Sequence, residues 1–156
     1  MIFVTVGTQK FQFNRLLKEI DILIANNQII DKVICQSGYS TYIPKNYSIQ
    51  RFMNGNEYEE NIKKCNLLIT HAGVGTILTG KKYNKQIIVV PRLSKYNEHI
   101  DDHQLQIAEG FADKQLVFEC KDISKLKNII QGSHKELVQY DFNNRKFLNA
   151  FKKILY

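Results

Sequence analysis

Two glycines two residues apart follow a short apolar run in Leu67-Leu68-Ile69-Thr70-His71-Ala72-Gly73-Val74-Gly75-Thr76. Gly73 and Gly75 let a backbone turn sharply and approach a ligand without a Cβ in the way. Thr76 to Tyr83 reads as a helix. A helix that starts just after such a turn aims free N–H groups, and the positive end of its dipole, at whatever lies there. Gly73, Val74, Gly75 and Thr76 are therefore candidates to hold a diphosphate through backbone N–H groups and one hydroxyl. The same spacing also serves a tight turn with no ligand. His71 ends the strand beside the glycines, where it donates to a phosphate, orients the turn or simply packs. Gly7-Thr8 closes the first apolar strand in a similar way, with Thr8 placed for the phosphates or for a helix cap.

The elements that position these corners follow from periodicity. Ile2 to Val6 reads as a strand, and Phe13, Leu16, Leu17, Ile20, Leu23 and Ile24 mark one apolar helix face. Further strands are predicted over Lys32 to Gln36, Tyr47 to Phe52, Leu67 to Ile69, Gln86 to Pro91 and Leu116 to Glu119. Ile87-Ile88-Val89-Val90 is an unbroken β-branched run. Helices are predicted over Glu57 to Cys65, Glu98 to Gly110 and Asp122 to Ile130, with a terminal helix from Asp141 to Tyr156. Strand and helix alternate, and the strands suit burial on both faces. The fold class is α/β: a Rossmann-like parallel sheet with helices on both sides. Ligands bind such sheets beyond the carboxyl ends of the strands. Gly7-Thr8, Thr70-His71 with the glycines, and Pro91-Arg92 all end strands, so they meet at one crevice.

A length of 156 residues suits a single domain with its own core, and 44% hydrophobic with 24% charged residues is ordinary for a globular chain. No run of about 18 apolar residues occurs, so no span is expected. Met1 to Gly7 lacks the basic flank and apolar length of a signal peptide. Cys35, Cys65 and Cys120 are widely spaced and read as buried thiols in a reducing cytoplasm. The net charge of +7 fits nucleic acid, an anionic membrane surface or phosphorylated ligands. No nucleic-acid motif occurs and the aromatics form no stacking pattern, so no nucleic-acid partner is expected. A dinucleotide site is also unexpected. The first strand ends in one glycine and the second in Gln36-Ser37 rather than an acid. No Gly-Lys-Ser/Thr phosphate loop occurs either.

Ile69 to Leu78, then Ile88-Val89-Val90-Pro91, then Asp102-His103-Gln104-Leu105-Gln106-Ile107-Ala108 resemble the C-terminal domain of glycosyltransferase family 28. Val4-Thr5-Val6-Gly7-Thr8 matches the first strand and phosphate-side loop of that domain, so the likeness covers about residues 1 to 120. It is the nucleotide-sugar half of a two-domain GT-B enzyme such as the peptidoglycan N-acetylglucosaminyltransferase. The acceptor half is lacking, so the chain is most similar to split enzymes. One is the eukaryotic two-subunit enzyme that extends dolichol-linked sugar; others are bacterial pairs that build capsular or exopolysaccharide repeat units. Pro91 to Gln104 looks like the bacterial kind.

The resemblance implies transfer of a hexose, with inversion, from a UDP-sugar to a lipid-linked saccharide acceptor. A membrane-anchored partner subunit would hold that acceptor, which places the chain in the cytoplasm at the inner face of the membrane. A non-catalytic regulator of a partner transferase is the alternative, and a homo-oligomer is left open. Family logic sets His103 and Gln104 over the sugar and diphosphate, with His99 beside them. Glu98 is the best candidate base within the chain, ahead of Asp101 and Asp102, unless the partner supplies it. Arg92 and Lys95 would neutralise the leaving UDP. No Asp-x-Asp metal motif is present, so no metal or other cofactor is expected. Where the family carries a ribose-binding acid, this chain carries Thr79. In the terminal helix Phe142, Phe147, Phe151, Ile154 and Leu155 would pack on the partner, or else close the chain's own core.

Overall fold

The computed structural model describes residues 1–133 and 135–139, with Arg145, Asn149, Lys152 and Lys153 beyond them. The apolar residues of the expected terminal helix lie outside the described residues. Six strands form one sheet: β1 (Ile2–Thr5), β2 (Val33–Gln36), β3 (Ser48–Gln50), β4 (Leu67–Thr70), β5 (Gln86–Val89) and β6 (Phe118–Glu119). Between them run α1 (Asn14–Ala25), α2 (Gly55–Lys64), α3 (Val74–Lys82) and α4 (His103–Asp113), and α5 (Leu126–Gln131) follows the last strand. The strand order is β3-β2-β1-β4-β5-β6, and every pairing is parallel. The predicted Rossmann-like architecture is the one found.

Alternation along each central strand divides the core in two. Ile2, Val4, Ile69 and Ile88 pack with Leu16, Leu17 and Ile20 of α1 on one face. Phe3, Leu68, Ile87 and Val89 pack with Ile77 of α3 and Phe111 of α4 on the other. All four residues of β1 and of β4 are buried, as strands covered on both sides must be. No helix among the described residues is long and apolar enough to cross a membrane.

The two central strands carry the site. The chain runs outward from β1 to β2 and β3, then returns to lay β4 on the other side of β1. The strand order therefore reverses between β1 and β4. Thr5 pairs with Thr70, so both strands end level and their loops part at that point. A crevice at such a reversal is where an open parallel sheet takes its ligand.

The largest departure from the predicted helix boundaries is at the start of α4. The pattern from Glu98 to Gly110 gives a helix only from His103. Asn97 turns left-handed at φ 57°, and Glu98 is pulled fully into the interior. Residues 98–102 thus descend and return before the helix begins.

Candidate functional site

The crevice holds about 480 Å³ and is lined by both glycine corners: Gly7 and Thr8, then His71, Gly73, Gly75, Thr76 and Thr79. Gln9, Gln36, Met53, Gly55 and Tyr58 complete it. Tyr58 reaches from α2 to within 2.6 Å of the Thr76 hydroxyl. Gln36 Oε1 accepts from Met53 N at 2.9 Å, which fixes the loop after β3 against the end of β2. These five were not legible as site residues. Gln36 is set by strand register, and the other four reach the crevice from connecting segments or from the side of α2.

Gly73 caps α3 in an extended conformation, φ −84° and ψ 116°, with no capping side chain. The first N–H groups of α3 have no partner within the helix. They open on the crevice with the positive helix end behind them.

The His71 ring lies between the two corners and explains both glycines. A Cβ on Gly7 would stand 2.4 Å from His71 Nε2, and one on Gly73 would stand 2.2 Å from His71 Cε1. Gly7 also has φ +77°, which other residues adopt only under strain. Burial pushes the imidazole down to a pKa of about 3, with help from the positive charge of Arg92 and from His99. His71 is therefore neutral across the physiological range. Its folded pKa lies below the unfolded value of about 6.5, so only the unfolded chain gains a proton there as pH falls below 6.5. The stability tied to neutral His71 is whole above pH 6.5 and is lost as pH drops toward 3, by up to about 1.4 kcal/mol per unit. Denaturation midpoints measured from pH 7 to 4 should show this slope, and His71→Gln should lack it.

The structure places three of the expected site residues in the interior. Glu98 is fully buried and cannot reach an acceptor hydroxyl. Its carboxylate takes two hydrogen bonds from Arg15, at 2.7 and 3.0 Å, and one from Leu93 N at 3.1 Å. Arg92 is fully buried as well. Its guanidinium donates to the carbonyls of Val6, Phe11, Gln12 and Glu98, so it ties down the loop after β1 instead of facing a leaving group. Gln104 is buried and does not line the crevice. Its Oε1 accepts from Ala72 N and Arg92 N at 3.2 and 3.0 Å, and its amide nitrogen lies 3.3 Å from His71 Nδ1.

Val74, His99 and His103 are likewise not among the lining residues. His99 stacks on Phe11 with ring centres 5.7 Å apart, and His103 is exposed at the start of α4, 3.2 Å from Gln106. Asp102 accepts from the N–H and hydroxyl of Ser94, so it braces a loop. A larger groove of about 800 Å³ runs along β3, away from both glycine corners. Neither the Gly7 corner nor the Gly73–Thr76 corner lines it, so the smaller crevice is the better anion site.

Residues 1–155 match the glycosyltransferase family 28 C-terminal domain. The chain belongs to that family. Its similar proteins include four named UDP-N-acetylglucosamine transferase subunit ALG13. The one from Homo sapiens is 30% identical over 132 residues, covering 76% of this chain and 11% of that protein. Those from Candida albicans and Kluyveromyces lactis are 37% identical over 91 residues and 29% over 109. They cover 58% and 65% of this chain, and 25% and 52% of those proteins. The chain thus spans between a tenth and about half of the curated relatives it matches.

Two solved structures show the same fold. A solution structure of ALG13 aligns with TM-score 0.63 at 20% identity, over 99% of this chain and 96% of that one. MurG of Acinetobacter baumannii aligns with TM-score 0.58 at 18% identity, over 99% and 45%. The family domain, and the GT-B half it represents, are those expected from the motifs.

Proposed function

We propose that this chain is the donor-binding subunit of a two-component inverting glycosyltransferase. It holds a UDP-sugar, with the diphosphate between Gly7-Thr8 and Gly73–Thr76. A membrane-anchored partner subunit holds a lipid-linked saccharide acceptor and keeps this chain at the inner face of the membrane. The transferred sugar is a hexose, and the product is a repeat unit of capsule or exopolysaccharide. One observation carries the reading: unpaired helix-start amides and a neutral imidazole converge where the strand order reverses. Both are donors, and together they suit a diphosphate.

The acceptor hydroxyl still needs a base. Among the described residues no side chain lining the crevice is a carboxylate, and His71 is held neutral with Nδ1 beside Gln104. The base is therefore assigned to the partner subunit. The same observation favours the second reading, a non-catalytic chain that raises a partner's turnover. Titration of the chain with UDP tests the first reading. Saturable UDP binding supports it; no binding at millimolar UDP refutes it. The purified pair then separates them. Donor-site variants of this chain raise KM for the UDP-sugar if the donor sits here, and leave KM unchanged if the chain only regulates.

Thr79 bears on donor affinity. Its hydroxyl donates to Gly75 O at 2.9 Å, so it offers ribose only an acceptor. Thr79→Glu should add a charge-assisted bond and tighten UDP by about fivefold, or about 1 kcal/mol. Calorimetry with UDP checks this, and UMP should show the same gain because it keeps the ribose.

A further inference from the structure

Gln104 comes from α4, yet its amide joins the ends of two strands. Its oxygen faces Ala72 N after β4 and Arg92 N after β5. Backbone N–H groups only donate, so the atom facing them must be the amide oxygen. The NH2 group is then the atom facing His71 Nδ1, at 3.3 Å. An NH2 group only donates, so Nδ1 must accept and carries no proton. A neutral imidazole has one N–H, and it is left on Nε2. That nitrogen is the ring edge held against Gly7 and Gly73 at the crevice.

We propose that Gln104 is a positioning residue that locks His71 as the neutral Nε2–H form, so that the ring offers one fixed donor to the diphosphate. The lock follows from hydrogen bonding alone; its use rests on the UDP-sugar reading above. The amide is itself fixed by its two backbone donors and cannot turn over without losing both. The ring is trapped between glycines, so it cannot swing its donor aside. Arg92 and His99, the positive or ionisable groups that act on His71, both oppose a second proton. An anion meeting this ring therefore finds a donor ready, with no proton to be taken up first.

Gln104→Glu is the informative change. It keeps an oxygen for Ala72 N and Arg92 N, and it replaces the donor facing Nδ1 with an acceptor. Nitrogen-15 NMR of the full chain reads the tautomer directly, with the His71 signals assigned by their loss in His71→Gln. In the parent protein Nε2 should be protonated and Nδ1 bare from pH 8 to 5. In Gln104→Glu, Nδ1 should be protonated. At pH 8 the bare Nε2 of that variant then faces the phosphates, and UDP should bind at least about tenfold more weakly. Lowering the pH should recover part of the loss as the ring becomes doubly protonated, whereas UDP binding to the parent protein should not vary through His71. A protonated Nδ1 in the parent protein overturns the lock, and so does an unchanged tautomer in Gln104→Glu. The parent measurement decides alone if the variant fails to fold. A parent protein with the expected tautomer that does not bind UDP overturns the donor reading and leaves the lock standing.

Discussion

Gly73→Ala is expected to weaken UDP binding by about a hundredfold or more while the domain stays folded. The backbone at Gly73 is extended, so alanine fits its dihedral angles. The conflict is with the ring: the new Cβ would lie 2.2 Å from His71 Cε1 and 2.6 Å from Nε2. His71 has no room to yield, because Gly7 closes its other side and Gln104 holds Nδ1. The start of α3 must shift instead, which misdirects its amides together with the imidazole donor. Hydrogen bonds to a charged group are worth about 1.5–3 kcal/mol each, and losing two costs about a hundredfold or more in affinity. Calorimetry with UDP measures the loss, and a melting curve near the parent's shows that the fold survives. Affinity within about threefold of the parent's would mean that the diphosphate does not meet α3.

Glu98→Gln should fail in a different way. The Glu98–Arg15 pair is bidentate, with Glu98 fully buried and the Arg15 side chain 16% exposed. Breaking a buried pair costs about 3–5 kcal/mol, and the partial exposure of Arg15 favours the lower end. A loss of about 3 kcal/mol lowers Tm by about 10 °C in a domain of this size. Arg15 also reaches Pro91 O, and Leu93 N rests on the same carboxylate, so the loop after β5 loosens first. Well below that Tm, the variant should keep UDP binding and most of the pair's turnover. A catalytic base would behave oppositely, with stability kept and turnover down by about 10²–10⁴.

The contrast between these variants shows what the sequence could and could not reveal. The sheet was legible because Ile2–Val6, Leu67–Ile69 and Ile87–Val90 are too apolar to be anything but buried strands. The glycine corners were legible because few residues other than glycine allow so close an approach. Depth was not. Arg92, Glu98 and Gln104 are polar and sit in or after a loop beside the expected site, so they read as ligand contacts. All three lie in the interior and brace the site from behind. Their partners are far away in sequence: Arg15 lies 83 residues from Glu98, and His71 lies 33 from Gln104. No local pattern announces such a pairing. Tyr58 was missed for a related reason. Its side of α2 faces the crevice only because β4 follows α2 and pairs with β1.

The most direct measurement is a crystal structure of the chain with UDP. The β-phosphate should lie against the backbone amides of Gly73 to Thr76, within hydrogen-bond distance of His71 Nε2 and beside Gly7. The ribose should extend toward Thr79. Nucleotide bound in the larger groove along β3, or phosphates turned away from α3, would contradict the assignment of this crevice as the donor site.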